Sequence, residues 1–388
     1  MTTFIAGNHI ELLKNGAEFF PAIESAIANA EQEIYLQTYI FEADMTGLRI
    51  ATALQNAAQR GVHVHVLLDG FGSKDLPKKI VEMMEALGVQ VMFFRPKISP
   101  WSLKKSRLRR MHRKVLVIDR SIAFVGGINI IDDFNMPTLK HPNPGPRQDY
   151  AVRITGTLIP AIYHSAQTLW RRTAWLHAQP AQSKISLQLH RKQPEQKGVK
   201  AAYVVRDNFL HRRDIEKAYL DGIKNARSEI IIANAYFIPG RKFRQALVDA
   251  TKRGVKVKLL LQGNLEYAFL LATRAFYEFL LKQHIEIYEY QSSYMHSKVA
   301  VIDQHWLTIG SSNIDPLSLM LAREANVFVL DNALAAHLHA DIIKSIEQDS
   351  IKISLDHWQK QPMLKRFISW VVYGAIRLFA GIVGLRYK

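Results

Sequence analysis

The chain has 388 residues, 48% of them hydrophobic and 22% charged, a balance that builds globular structure and leaves room for two domains of ordinary size. It has no cysteine, which excludes disulfides and thiolate metal centres and fits a reducing cytoplasm. A formal net charge of +17 directs it towards anionic partners, either nucleic acid or a membrane rich in anionic lipid.

Residues 1–16 lack the basic-then-apolar pattern of a signal peptide, and the first half holds no apolar run long enough to span a bilayer. A strand is predicted near Glu33 to Phe41. The string Ala53-Leu54-x-x-Ala57-x-x-Arg60-Gly61 then sets apolar residues at helical spacing and stops at a glycine. It continues as Val62-x-Val64-x-x-Leu67-Leu68-x-Gly70, a buried strand. Between Lys104 and Lys114 lie Lys105, Arg107, Arg109, Arg110 and Arg113 without a single acid. That basic run leads into Met111-His112-Arg113-Lys114-Val115-Leu116-Val117-Ile118-Asp119. Residues two apart on a strand share a face, so His112 and Lys114 point the same way at the mouth of an apolar strand of the kind covered on both faces. Asp119 falls at the far end, where a turn or structural residue is expected. A turn, Gly126-Gly127-Ile128-Asn129, follows. Residues 136–147 carry Pro137, Pro142, Pro144 and Pro146, too many for a regular element, and read as a loop, either a lid or plain surface. Asp149 then stands just before another apolar strand.

The region 178–200 is rich in Gln, Lys, Pro and Ser and reads as a linker. This divides the chain into 1–180, a linker 181–200, a second domain 201–355 and a tail 356–388. Beyond the linker the pattern returns. A strand near Glu229 to Phe237 precedes Ala246-Leu247-x-x-Ala250-x-x-Arg253-Gly254-Val255-x-Val257-x-x-Leu260-Leu261-x-Gly263. Met295-His296-Ser297-Lys298-Val299-Ala300-Val301-Ile302-Asp303 repeats seven of the nine residues of the first motif. Gly310-Ser311-Ser312-Asn313 repeats its turn, and Glu324 stands where Asp149 stood, before an apolar strand. An apolar strand does not need a histidine and a lysine at its mouth twice in one register. Metal binding explains them poorly, because a charged lysine has no free lone pair and no cysteine is available. The expected fold is α/β: two α/β sandwich domains with mixed sheets, related by a pseudo-two-fold axis that brings His112 and His296 together across a cleft.

The tail from Met363 to Lys388 carries Lys365, Arg366, Arg377, Arg386 and Lys388 and no acid. On a helix, Arg366, Ser369, Tyr373, Arg377 and Gly384 fall on one narrow face, and Trp370, Val371, Ile376, Phe379 and Val383 mostly elsewhere. An interfacial helix with basic residues at headgroup level fits this pattern. A membrane crossing would place Arg377 mid-bilayer at a cost of roughly 2.5–3.5 kcal/mol. Docking on the protein's own core or on an oligomer interface is the other alternative.

Both motifs fit His-x-Lys-x4-Asp followed by Gly-(Gly/Ser)-x-Asn, and in this the chain resembles the phospholipase D superfamily. Within it the chain is most similar to the bacterial cardiolipin synthases of the shorter type, with Tyr35-Leu36-Gln37-Thr38-Tyr39-Ile40-Phe41 and Asn234-Ala235-Tyr236-Phe237-Ile238-Pro239 as supporting strings. The resemblance implies two phospholipase D-like domains with the active site at their interface. It implies His112 as a nucleophile that forms a covalent phosphohistidine, and His296 as the acid that protonates the leaving group and then deprotonates the acceptor hydroxyl. Lys114 and Lys298, with Asn129 and Asn313, would hold the non-bridging phosphoryl oxygens. The motif counts Asp119 and Asp303 in the catalytic set. Asp149 and Glu324 are candidates to orient the histidines through the other ring nitrogen. Gly127 stands where the family more often has serine, which removes a possible hydroxyl donor from the first half. No metal or other cofactor is implied. The implied reaction is phosphatidyl transfer from phosphatidylglycerol to a second phosphatidylglycerol. It would take place in a peripheral protein bound to anionic phospholipid on the cytoplasmic face of the bacterial inner membrane. A phospholipase D-type hydrolase or a metal-independent nuclease would use the same residues, although the lipid-like tail weighs against nucleic acid. A non-catalytic binding protein on the same fold ranks last, since both His/Lys pairs are intact.

Overall fold

The computed structural model describes residues 2–96, 109–136, 143–177, 198–208, 210–264 and 268–382. The first half contributes β1 (Ile5–Lys14), β2 (Glu33–Thr38), β3 (His63–Asp69), β4 (Gln90–Phe94), β5 (Lys114–Ile118), β6 (Ile122–Gly126) and β7 (Tyr150–Gly156). The second contributes β8 (Val199–Arg206), β9 (Glu229–Asn234), β10 (Lys256–Gln262), β11 (Glu286–Tyr290), β12 (Lys298–Ile302), β13 (Trp306–Gly310), β14 (Glu324–Leu330) and β15 (Ser350–Ile353). The strand order is β1-β7-β6-β5-β2-β3-β4 in one half and β8-β14-β13-β12-β9-β10-β11 in the other, with β15 added at its edge. In each half a parallel trio, β2-β3-β4 or β9-β10-β11, joins an antiparallel set, giving mixed sheets. The halves do not keep separate sheets. β1 pairs antiparallel with β8 through Ile5↔Ala201 and Asn8↔Val199, so the described strands form one continuous sheet with the pseudo-two-fold axis between β1 and β8.

Helices α1 (Asn15–Ala28), α2 (Met45–Gln59) and α3 (Lys78–Ala86) cover the outer face of the first half. α4 (Ile159–Leu176) lies on its inner face. α5 (Asp214–Asn225), α6 (Arg241–Lys252), α7 (Ala268–Arg274) and α8 (Tyr277–Lys282) cover the outer face of the second half. They are followed by α9 (Pro316–Met320), α10 (Asn332–Asp349), α11 (Leu355–Gln359) and α12 (Met363–Ile382). Along β5, Val115 and Val117 enter a central core shared with Val299 and Val301 of β12 and with α4 and α10, while Leu116 and Ile118 face the outer helices. This is why both motif strands read as unbroken apolar runs. The repeated helix string has an equally local cause. Ile50, Leu54 and Ala57 of α2, and Phe243, Leu247 and Ala250 of α6, form the buried stripes. Each helix then stops at a glycine with positive φ, +94° at Gly61 and +88° at Gly254, a conformation other residues rarely adopt.

β2 and β9 end at Thr38 and Asn234, earlier than the expected strands. Phe41 and Phe237 continue only as isolated bridges to Ile130 and Ile314, beside the turns that carry Asn129 and Asn313. Residues 178–197, most of the expected linker, lie outside the described residues, as do Lys104, Lys105, Arg107 and residues 137–142 of the proline-rich loop. The rest of that loop is anchored on the second half, where the Ser293 hydroxyl donates to the Gly145 carbonyl at 2.6 Å.

α12 docks against the second half, and its orientation corrects the headgroup assignment for Arg366. Arg366 pairs with Glu278 of α8 at 2.5 Å, Ser369 is buried, and the Tyr373 ring lies 4.7 Å from that of Phe276. Arg366, Ser369 and Tyr373 of the polar stripe face the protein, with Val372 and Ile376 packed beside them, while Arg377 is exposed. Leu364, Phe367, Trp370, Val371 and Leu378 are left exposed. Among the described residues, no helix is long and apolar enough to cross a membrane.

Candidate active site

The mouths of β5 and β12 meet because each is stitched to the opposite half. Isolated parallel bridges join Met111 to Arg323 and Met295 to Gln148. The amide of His112 donates to the Arg323 carbonyl at 2.9 Å, and that of His296 to the Gln148 carbonyl at 2.8 Å. Each histidine therefore takes its backbone position from residues just ahead of the other half's strand, β14 or β7.

The imidazoles follow the same exchange. His112 Nδ1 lies 3.0 and 3.1 Å from the two carboxylate oxygens of Glu324 and 3.1 Å from the Ser311 carbonyl. A carbonyl only accepts, so this nitrogen carries the proton and Nε2 keeps the lone pair. His296 Nδ1 lies 2.6 Å from Asp149 Oδ2. The sequence nominated both acids but gave no reason to pair each with the histidine of the other half.

Lys114 Nζ donates to the His112 carbonyl at 2.7 Å, and Lys298 Nζ donates to the His296 carbonyl. Lys298 Nζ also lies 3.5 Å from Asp149 Oδ2. Burial, with the charge of Lys298, pushes Lys114 down to about 7; burial pushes Lys298 down to about 8 against the pull of Asp149 and Glu324. Burial also lowers both histidines. His112 is partly supported by Glu324, whereas His296 is driven further down by Lys298, Lys114 and Arg147. Burial raises Asp149, and Lys298 opposes that rise. Burial thus favours neutral imidazoles and sets the two lysines against each other, a repulsion that a phosphoryl anion between them relieves. Asn129 accepts from the Ile40 amide at 3.1 Å and keeps a buried Nδ2 without a hydrogen-bond partner among the described residues, an orphan donor that a phosphoryl oxygen would satisfy. Asn313 is buried in the equivalent turn, with its amide oxygen unpartnered among the described residues.

Asp119 and Asp303 do not join this cluster. The structure places them at the far ends of the motif strands, with φ near +50°. Asp119 accepts from the amides of Glu31, Gln32 and Glu33 at 2.8–2.9 Å, and Asp303 from those of Arg227, Ser228 and Glu229 at 2.8–2.9 Å. They tie the starts of β2 and β9 to the ends of β5 and β12. This structural role replaces the catalytic one that the motif suggested for them.

Other neighbours lacked a distinct sequence signal. The Tyr39 ring lies 4.8 Å from that of His112 and 5.4 Å from Lys114 Nζ. It resembles any other aromatic at a strand end. The Ser311 hydroxyl donates to Glu324 at 2.5 Å, and Arg147 lies over the Tyr294 ring at 5.1 Å. Gly127, the departure from the usual turn, has a steric cause: a Cβ there would lie 2.2 Å from Asp149 Oδ1.

Residues 23–134 and 219–346 match the family described as "Cardiolipin synthase, PLD-like domain". The chain is 37% identical over 391 residues to cardiolipin synthase B of Escherichia coli (strain K12), a match covering 97% of this chain and 90% of the relative. It is 29% identical to the probable cardiolipin synthase YwiE of Bacillus subtilis (strain 168), covering 97% and 72%. In fold it is similar to the crystal structure of phosphatidylserine synthase from Haemophilus influenzae Rd KW20, with a TM-score of 0.68 at 15% identity over 99% of this chain and 96% of that one.

Proposed function

The chain belongs to the cardiolipin synthase family of phospholipase D-like proteins, and we propose that it transfers a phosphatidyl group between two phosphatidylglycerol molecules through a phosphohistidine. The observation that carries this reading is the reciprocal His112–Glu324 and His296–Asp149 pairing. It leaves two Nε2 atoms as the reactive nitrogens beside two lysines.

His112 Nε2 attacks the donor phosphorus. The bond from phosphorus to the headgroup oxygen breaks, and the departing alkoxide takes a proton from His296, releasing glycerol. The proton held by Nδ1 of His112 is what leaves Nε2 nucleophilic. The choice of His296 as the acid is supported by its shorter carboxylate contact, 2.6 Å against 3.0 Å. Burial and the neighbouring lysine charges lower His296, and a bound phosphodiester offsets those charges, so the Asp149 contact favours the imidazolium once substrate is present. In the second step neutral His296 takes the proton from a hydroxyl of the acceptor, whose oxygen attacks the same phosphorus. The phosphorus–nitrogen bond breaks, its electrons return to His112, and cardiolipin leaves. Lys114, Lys298 and Asn129 hold the non-bridging oxygens throughout.

We place the protein on anionic phospholipid at the cytoplasmic face of the bacterial inner membrane, with the exposed apolar face of α12 supporting peripheral attachment. The test is product analysis with purified protein and labelled phosphatidylglycerol in liposomes. Labelled cardiolipin that disappears in His112→Ala is expected, with a loss of at least about a thousandfold in rate. Phosphatidic acid as the sole product would make the protein a hydrolase. No lipid turnover would leave the nuclease reading in its place.

A further inference from the structure

The two carboxylates that orient the histidines are held in different ways. Glu324 is the first residue of β14 and lies opposite Arg206 inside the β8–β14 ladder. Asp149 stands one residue ahead of β7, and the β1–β7 ladder stops at Lys14↔Tyr150. The next pair would be Asn15↔Asp149, but the chain leaves the sheet at Asn15 to begin α1, with a φ of 56°. The pair is completed all the same. The Asn15 amide donates to the Asp149 carbonyl at 2.9 Å, and the Asp149 amide donates to Asn15 Oδ1 at 3.1 Å. A side-chain carbonyl supplies the acceptor that a main-chain carbonyl supplies elsewhere in the ladder.

The residues on either side fasten this junction. Asp341 of α10 meets Lys14 Nζ and the Tyr150 hydroxyl, each at 2.5 Å. Asp133 accepts the Gly16 amide at 2.7 Å through Oδ2 and the Arg147 amide at 3.0 Å through its main-chain carbonyl. Asp149 Oδ1 accepts the Tyr150 amide at 2.9 Å, while Oδ2 meets His296 Nδ1 at 2.6 Å. The main chain of Asp149 therefore depends on a residue with two requirements. It must adopt the left-handed backbone, and it must offer a carbonyl oxygen close to the main chain. Asparagine meets both, and glycine meets only the first.

We propose that Asn15 is a positioning residue for the acid step, holding the Asp149 carboxylate against His296 as the headgroup leaves. The inference rests on the reading of His296 as the acid. Asp149 is buried, so without Oδ1 its amide loses its acceptor where water does not readily replace it. The main chain shifts to find another partner, the carboxylate moves with it, and the imidazolium loses its support. Asn15 acts on His296 only through Asp149. The demand for the proton of His296 depends on the leaving group. When the bond from phosphorus to the headgroup oxygen breaks, glycerol departs as a strongly basic alkoxide unless it is protonated. A p-nitrophenolate is a stable anion and departs without that proton.

A comparison of two donors tests this. Single-turnover release of the headgroup by the full chain is measured from phosphatidylglycerol and from phosphatidyl-p-nitrophenol, each in the same mixed detergent micelles. Asn15→Gly keeps the backbone conformation and removes the side-chain acceptor. It is expected to slow glycerol release about tenfold and nitrophenolate release less than about twofold. Asn15→Asp restores the acceptor and is expected to bring glycerol release back to within about threefold of the wild type. A loss of folded protein slows both donors alike. Equal slowing of the two donors by Asn15→Gly, or an unchanged rate of glycerol release, overturns the proposal. His296→Ala tests the reading beneath it and is expected to slow glycerol release far more than nitrophenolate release. Equal slowing of both donors by His296→Ala would show that His296 is not the acid.

Discussion

Asp149 and Glu324 differ by one methylene, and the turn beside each is fitted to that difference. Ser311 has room to donate to Glu324 at 2.5 Å, while Gly127 leaves the space that the Asp149 carboxylate fills. The two His/Lys pairs were legible in the sequence because seven of the nine residues of one string recur. This fitted asymmetry was not, because it depends on which acid crosses to which histidine. Gly127→Ser is expected to push Asp149 off His296 and lower kcat about a hundredfold, since displacement of an orienting group by about 1 Å is enough for that. A full-rate Gly127→Ser enzyme of unchanged melting temperature would show that Asp149 does not act through this contact. The lysines make a separate prediction about pH. Lys114 at about 7 and Lys298 at about 8 lose their protons as pH rises through that range, and the neutral amines no longer attract an anion. Affinity for dimethyl phosphate, which does not itself titrate there, is therefore expected to be highest below about pH 7 and to fall above it. Titration calorimetry would check this, and a dissociation constant that stays flat across the range counts against the lysines as the anion ligands.

Elements were legible where local pattern decides them. The helix strings ending at Gly61 and Gly254 and the apolar runs of β5 and β12 needed no tertiary information. Asp119 and Asp303 sit inside the repeated motif as a string, yet each acts within an element pair, holding the start of β2 or β9 by backbone amides. The position of an aspartate five residues beyond a strand's lysine already pointed to the far end of that strand. α12 shows the limit of helical projection. The pattern defines an apolar and a polar face but not which one the protein covers, and Glu278 and Phe276 decide that from elsewhere in the chain. With Arg366, Ser369 and Tyr373 inward, Phe367 and Leu378 belong to the outward face. The double variant Phe367→Asp/Leu378→Asp is expected to reduce flotation with anionic liposomes about tenfold or more while leaving the melting temperature unchanged, because the transfer of two large apolar side chains is lost without touching the docked face. Undiminished flotation would remove α12 from the membrane contact.

On the scale of the molecule, the repeat foretold two matching halves and a site between them, but not that β1 and β8 would join their strands into one sheet. Such edge pairing is set by geometry between halves, and neither strand carries the repeated strings. The join matters because it fixes the two motif strands about a common axis, so that each histidine is completed by a carboxylate from across that axis. Neither half holds a complete histidine–carboxylate pair by itself. The pseudo-symmetry then sharpens the meaning of what breaks it, the closer carboxylate on the side of His296. The most direct measurement is rapid quenching of the His296→Ala variant and of the wild type with labelled phosphatidylglycerol, followed by mass spectrometry of the peptides that carry His112 and His296. A phosphatidyl adduct on His112, stable to base and labile to acid, is the expected result. Turnover without any adduct, or an adduct confined to His296, would contradict the assignment of His112 as the attacking residue.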